Sequence, residues 1–124
     1  MQYWYFGDFG QFEYNLKESD KYLVETKTLF EYNQYLLGYN ALQKSNEYFA
    51  NTLPFLEKAK QDGKNVTDKR LLLNQAAAKH IEVLEQMESD TPATFNWNPE
   101  KSAASNLSIH QLIEQSVALR QKDL

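Results

Sequence analysis

The sequence predicts an all-α protein, an antiparallel helical bundle or stacked helical hairpins, with about four helices and an aromatic N-terminal arm. Three observations lead there. Leu16, Leu23, Phe30 and Leu37 recur every seven residues, with Tyr22, Leu29 and Leu36 beside them; seven is close to two helical turns, so both series fall on one broad stripe. Leu73, Ala77, His80, Leu84 and Met87 step by four, three, four and three, which is the spacing of a coiled-coil-like seam. Ile109, Leu112, Ile113 and Val117 make one more apolar face. Faces of this kind are stable only when buried against one another, and helix-on-helix layers do that.

Taken in order, residues 1–15 form the arm and residues 16–124 the bundle domain. The arm carries seven aromatic rings between Gln2 and Asn15, interrupted by Gly7 and Gly10, a poor recipe for a helix and a reasonable one for a docked segment. Asp8-Phe9-Gly10 matches the magnesium-holding tripeptide of protein kinases, but those enzymes need a glycine-rich loop, a lysine strand and a catalytic loop upstream of it. Only seven residues precede it here. A first helix over 16–37 buries the seven-residue stripe and leaves Lys17, Asp20, Lys27, Glu31 and Gln34 solvated. Gly38-Tyr39-Asn40 predicts its end, and Ala41, Leu42, Tyr48, Phe49, Leu53 and Leu56 resume in a different phase. Asn51 or Thr52 caps a further segment with Pro54 in its first turn, where the missing amide does no harm. Gly63 stops that segment in left-handed geometry. Thr67 is the predicted N-cap of the next helix, with Asp68 on its dipole and Val66 and Leu71 as a hydrophobic staple. Residues 89–104 contain two prolines and no period and read as a loop. Ser105 or Ser108 caps the last helix, with Gln111 completing a capping box and Leu107 and Leu112 a staple.

Composition narrows the function classes. A chain of 124 residues forms one domain with an adequate core. It has no cysteine, which removes disulfides, thiolate metal sites and thiol nucleophiles. The net charge is -4 with a pI near 5.2, and residues 1–62 carry nine acids against six bases while the rest carry eight against seven. Phosphate-driven binding to DNA or RNA needs a basic face, so nucleic acid is not an expected partner. No apolar run reaches the roughly 18–20 residues of a membrane span, so the chain reads as soluble, compatible with cytoplasm or periplasm; a membrane enters only if spans flank this stretch. Asn65-Val66-Thr67 and Asn106-Leu107-Ser108 match the glycan acceptor pattern and are taken as coincidence in a chain rich in Asn and Ser.

Fifteen of the seventeen aromatic residues lie at or before Phe55. The other two, Phe95 and Trp97, sit in the predicted loop with Asn96 and Asn98. Large rings outside a periodic stripe either close an end of the bundle or anchor a partner, because exposed apolar surface is otherwise disfavoured. The expected partner-binding residues are therefore Trp4, Phe6, Phe9, Phe12, Phe95 and Trp97, with Asn96 and Asn98 as flanking amides for a ligand. His80 is expected to be a half-buried ring bonded to a neighbour. His110 with Glu114 one turn later has the spacing of a two-ligand pair, without a second pair elsewhere. Glu82, Glu85 and Glu88 form a solvated strip. Hydrolase, di-iron and nucleotide-loop motifs are missing from the sequence, so no catalytic residue, metal or cofactor is expected.

Residues 36–60 faintly resemble one tetratricopeptide unit: Leu37-Gly38 in its first helix, Ser45-Asn46 at its turn, and Thr52, Phe55 and Ala59 in its second. Pro54 departs from the pattern and no second copy follows at the repeat period. The resemblance implies helices stacked as hairpins. The expected function is a non-enzymatic helical interaction module that docks a protein or peptide through aromatic surface, with self-association compatible with the same surfaces. The alternative is an extracytoplasmic helical-bundle sensor domain of a membrane receptor that binds a small ligand.

Overall fold

The computed structural model describes residues 7–92, 94–97 and 105–124, with 94–97 and 105–107 as backbone alone. Helices α1 (Gly7–Glu31), α2 (Tyr35–Ala50), α3 (Thr52–Gln61) and α4 (Thr67–Asp90) are followed by strands β1 (Thr94–Trp97) and β2 (Ser105–Ser108) and by helix α5 (Ile109–Gln121). Asn51 keeps right-handed helical geometry and both ends α2 and begins α3, so these two make one bent rod and the fold is an all-α bundle of four rods. Lys69 pairs with Glu13 and His80 with Asp20, which makes α1 and α4 parallel. Asn74 meets the Asp123 carbonyl while His80 meets Arg120, which makes α4 and α5 antiparallel. The molecule is thus two antiparallel hairpins, α1 with α2 and α4 with α5, placed so that α1 lies beside α4 and α2 beside α5.

Two apolar cores fill this arrangement. One gathers Phe12, Leu16, Phe49, Leu56, Leu73 and Ala77; the other gathers Leu23, Phe30, Leu42, Leu84, Met87, Ile109, Leu112 and Ile113. Between them, on every long helix, the inward position is polar: Ser19 on α1, Ser45 on α2, His80 on α4, and Ser116 and Arg120 on α5, all buried. The small serines let α1 and α2 approach closely, and they bond reciprocally: Ser19 Oγ donates to the Ser45 carbonyl at 2.9 Å and Ser45 Oγ to the Ser19 carbonyl at 2.8 Å.

The structure moves several predicted boundaries. Residues 7–15 belong to α1 and not to a separate arm; with Phe12 and Leu16 one turn apart in the core, a continuous helix buries more than a docked segment does. The first helix ends at Glu31, not near Gly38. Asn33 takes a left-handed φ of 61° and accepts a hydrogen bond from the Tyr35 hydroxyl at 2.8 Å, a conformation that asparagine tolerates. Gly38 lies inside α2, where the Phe30 ring of α1 fills the space a Cβ would take. Ser45 and Asn46 are mid-helix, so the hairpin turn implied by the tetratricopeptide resemblance does not exist at that point. Gly63 does adopt a φ of 85° behind α3. Thr67 is the first residue of α4 and not its N-cap, which is Val66; Asn65 Oδ1 accepts from the Thr67 amide at 3.0 Å. The 89–104 stretch is not all loop: β1 pairs antiparallel with β2, Thr94 opposite Ser108 through Trp97 opposite Ser105. Thr, Phe and Trp favour strands, and prolines on either side of them deny a helix.

A Cβ at position 38 would lie 2.5 Å from Cδ1 of the Phe30 ring, and that ring is fixed in the core. Gly38→Ala is therefore expected to destabilise the fold by about 1–3 kcal/mol, and Phe30→Leu in the same chain to recover part of the loss. Equilibrium urea denaturation of the two variants measures both.

Candidate functional site

The buried polar layer has a definite hydrogen-bond direction. Arg120 is fully buried. Its Nε donates to His80 Nδ1 at 2.8 Å, one Nη to Asn46 Oδ1 at 2.7 Å and to the Ser116 carbonyl at 3.0 Å, and the other Nη to Ser45 Oγ at 2.9 Å. Asn46 passes a hydrogen bond on from Nδ2 to Ser116 Oγ at 2.8 Å, and that hydroxyl donates to the Leu112 carbonyl at 2.7 Å. An arginine Nε always carries hydrogen, so His80 Nδ1 is the acceptor and its Nε2 carries the proton, which it donates to Asp20 Oδ1. The Phe49 ring stacks on this assembly, with the guanidinium carbon 4.8 Å from its centroid in cation–π geometry. No buried side-chain nitrogen or oxygen among the described residues lacks a partner.

Burial pulls the Arg120 guanidinium down from its ordinary value to about 10, partly opposed by the Asp20 carboxylate beyond His80. A base whose folded value is lowered gives up its proton in the native state first, so burying this charge works against folding throughout the range below about pH 10. That opposition fades only as the pH rises from about 10 toward the ordinary guanidinium value. The charge stays on at neutral pH. Chemically the layer is closed: both ring nitrogens of His80 are engaged, and its hydroxyls and amide are bonded to one another or to backbone.

The layer reaches the surface through Asp20, whose side chain is 56% exposed. Asp20 stands in the wall of an open seam between α1 and α4. A hollow of about 290 Å³ there is lined by Asp20, Leu23, Val24 and Lys27 from α1 and by Ala76, Lys79, His80 and Val83 from α4. A second hollow of about 60 Å³ lies between Lys27, Phe30 and Glu31 of α1 and Gln86, Met87 and Asp90 of α4, with Thr91 behind it. Lys27 borders both. The residues of α4 that line the two hollows run from Ala76 to Asp90, roughly 21 Å at 1.5 Å per residue. Val24, on its rim, is 66% exposed.

The residues expected to bind a partner fall out differently. Phe12 is buried in the core between Leu16, Phe49 and Leu73, so it is no docking residue: its place on the continuous α1 points it inward. Phe9 is half-buried against the same core, with the ammonium groups of Lys64 and Lys69 over its ring at 5.4 and 5.7 Å. Phe95, Asn96 and Trp97 occur in β1, where the backbone alone is described, and Trp4, Phe6 and Asn98 lie outside the described residues. His80 is the bonded ring that its seam position implied. His110 Nε2 donates to the Thr91 carbonyl at 2.9 Å, tying the start of α5 to the end of α4. Among the described residues no group of three or more His, Asp or Glu is placed to hold a metal ion, and no helix is long and apolar enough to cross a membrane.

Sequence reasoning passed over Arg120, Ser19 and Ser45. A signal for Arg120 existed, since Ile109, Ile113, Ser116 and Arg120 continue the four-three-four spacing of the α5 stripe. Comparisons with protein-family models, with curated proteins and with solved structures found no match.

Replacing His80 by Leu removes the acceptor for a buried cation, and the expected loss is about 3–5 kcal/mol. His80→Leu combined with Arg120→Met removes the cation as well and is expected to recover most of it. Chemical denaturation of both single variants and the double variant measures the coupling. Two-bond proton–nitrogen NMR is expected to show His80 with hydrogen on Nε2.

Proposed function

We propose that the chain is a non-enzymatic helical interaction module, and that its docking surface is the open seam between α1 and α4. The observation that carries this reading is the 290 Å³ hollow with its apolar floor of Leu23, Ala76 and Val83 and the exposed Val24 on its rim. A solvent-facing Val beside an unfilled apolar trough is surface whose burial is favourable, at about 25 cal/mol for each Å² covered. The chemistry points the same way. The histidine and hydroxyls nearest the seam are committed to the buried layer, which leaves shape, apolar surface and the charges of Asp20, Lys27 and Lys79 on its rim as what the seam offers. An elongated trough between two parallel helices fits a helical segment of a partner protein, the helix-in-groove mode of recognition. The aromatic residues at Trp4, Phe6, Phe95 and Trp97 remain proposed contributors to partner contact. A small ligand held between helices is the second reading: the same hollow approaches the roughly 300 Å³ lower bound of ligand pockets, but its open side leaves such a ligand largely in water.

A photo-crosslinking residue in place of Val24 is expected to form an adduct with one protein in the native cells, while the same residue at the exposed Gln115 of α5 forms none. The partner so identified, once purified, is expected to bind the chain at least tenfold more weakly when Val24 is changed to Glu. Equal adducts from both positions, or an affinity untouched by Val24→Glu, would rule the seam out.

A further inference from the structure

We infer that the partner seated on the seam is a second copy of this chain, packed face to face and antiparallel about a two-fold axis at the height of Val24 and Val83. This rests on the docking reading above and names the occupant of that surface. The order of charges along the two helices and the place of the exposed valine between them carry the inference.

Each of the two parallel helices presents a row of side chains to solvent. On α1 the exposed residues Lys17, Asp20, Val24, Lys27 and Glu31 recur at three- and four-residue spacing, so they stand one above another. On α4, Leu72, Ala76, Lys79, Val83, Gln86 and Asp90 recur in the same way, and none of them is buried. Asp20 bonds His80, and Val24 and Val83 border the same hollow, so the two valines stand at about one height. Turning a copy over about an axis at that height, perpendicular to both helices, lays α1 on α1 and α4 on α4 in opposite directions. Residues before Val24 then face residues equally far after it: Asp20 meets Lys27 of the second copy, and Lys17 meets its Glu31. Every charge of the α1 row meets its opposite, and symmetry makes each pair twice. Asp20 bonds His80 through Oδ1 alone and is 56% exposed, so it is accessible to the second copy. Lys27 and Glu31, 3.1 Å apart within one copy, join Asp20 and Lys17 of the other in a ladder of alternating sign.

The α4 row fits the same axis. Lys79 meets Gln86 and Asp90 meets Ala76, so like charges are opposed along neither row. Toward the amino ends the face carries Lys17, Asp20 and Lys79, two bases and one acid; toward the carboxyl ends it carries Lys27, Glu31 and Asp90, one base and two acids. Reversal lays the positive half of each copy on the negative half of the other. A parallel two-fold arrangement lays like halves together and sets Glu31 beside Asp90 of the second copy. Lys21 and Glu82 flank the face, one of each sign. At the axis the surface is apolar: Val24, 66% exposed, lies over the second copy's hollow with its Leu23, Ala76 and Val83, and the charged pairs form the rim. From Leu72 to Asp90 the face is about 27 Å long and two helices, about 20 Å, wide. It covers on the order of 500 Å² of each copy, at the lower end of specific interfaces, so the dimer is reversible.

Sedimentation equilibrium of the chain from about 1 μM to about 1 mM is expected to show monomer and dimer in exchange. Val24→Glu, which sets two carboxylates together on the axis, is expected to weaken the dimer at least tenfold. Lys17→Glu and Glu31→Lys lie outside the buried layer, and each alone opposes like charges twice, for an expected weakening of about fivefold. Mixed in equal amounts, these two variants are expected to restore the dimer, because each supplies the charge that the other lacks. A dimer weakened by Val24→Glu that the mixture fails to restore overturns the antiparallel arrangement. Monomer alone throughout the range, or a dimer indifferent to Val24→Glu, overturns the second copy as occupant. Crosslinking from Val24 in the native cells then separates the two readings: an adduct with a different protein leaves the docking surface standing, and no adduct removes that as well. Circular dichroism of each variant confirms that the bundle is intact.

Discussion

A guanidinium taken out of water loses hydration worth several kcal/mol, and Arg120 among the described residues has only neutral groups in direct contact with it. The remainder of the bundle is organised by that requirement. Each of the four rods contributes at the level of the cation: Ser19 and Asp20 from α1, Ser45, Asn46 and Phe49 from α2, His80 from α4, Ser116 from α5. A shift of α2 or α4 by a turn relative to α5 would take Ser45 and Asn46, or His80, away from the charge. Apolar cores alone tolerate such slips, because one oily residue substitutes for another at modest loss. A polar layer between two apolar ones therefore selects a single register at the expense of some stability, the use for which buried polar groups are best attested.

The same layer bears on the open seam between α1 and α4. The cation is matched chiefly within the α2–α4–α5 side of the bundle, and α1 joins it from the edge, through the two serines on one flank and the Asp20–His80 bond on the other. On the α4 flank, α1 presents Asp20, Val24 and Lys27 beside Leu23, so two charged residues and a small apolar one stand where a closed bundle would continue its leucines. The trough is thus the place where the inner layer meets the surface. Its parallel walls come from the hairpin stacking, which sets like-directed helices side by side and lets their dipoles reinforce.

Much of this was legible in the residues. Every member of the four-three-four series from Leu73 to Met87 is buried, and Leu16, Leu23 and Phe30 face the core as their spacing requires. The miss at Leu37, which is exposed, follows from extending that series through a turn: Asn33 resets the phase, and a left-handed asparagine leaves little trace in a periodicity. Gly38 misled in the opposite way, since a glycine needed for close approach of two helices looks in one dimension like a glycine that ends one. The aromatic cluster suggested an arm because it was counted as composition; Phe12 and Leu16 belonged to a stripe that began earlier than the first leucine. The polar layer was hidden because Ser, Asn and Arg are ordinary surface residues when taken singly. Only their recurrence, together with His80, at inward positions of four separate helices distinguishes them, and the pairing of helices is information that spacing along one chain does not hold. The trough was equally hidden, since an absent side chain has no letter.

The order in which the layer is assembled carries a further consequence. Ser19, Ser45, Asn46 and His80 all precede Arg120 by forty residues or more in the chain, and proteins are made from the amino end. Until α5 is made, the first hairpin and α4 carry the hydroxyl, amide and imidazole that Arg120 bonds with no cation to join them, so the polar centre of the bundle is completed by one late-made side chain.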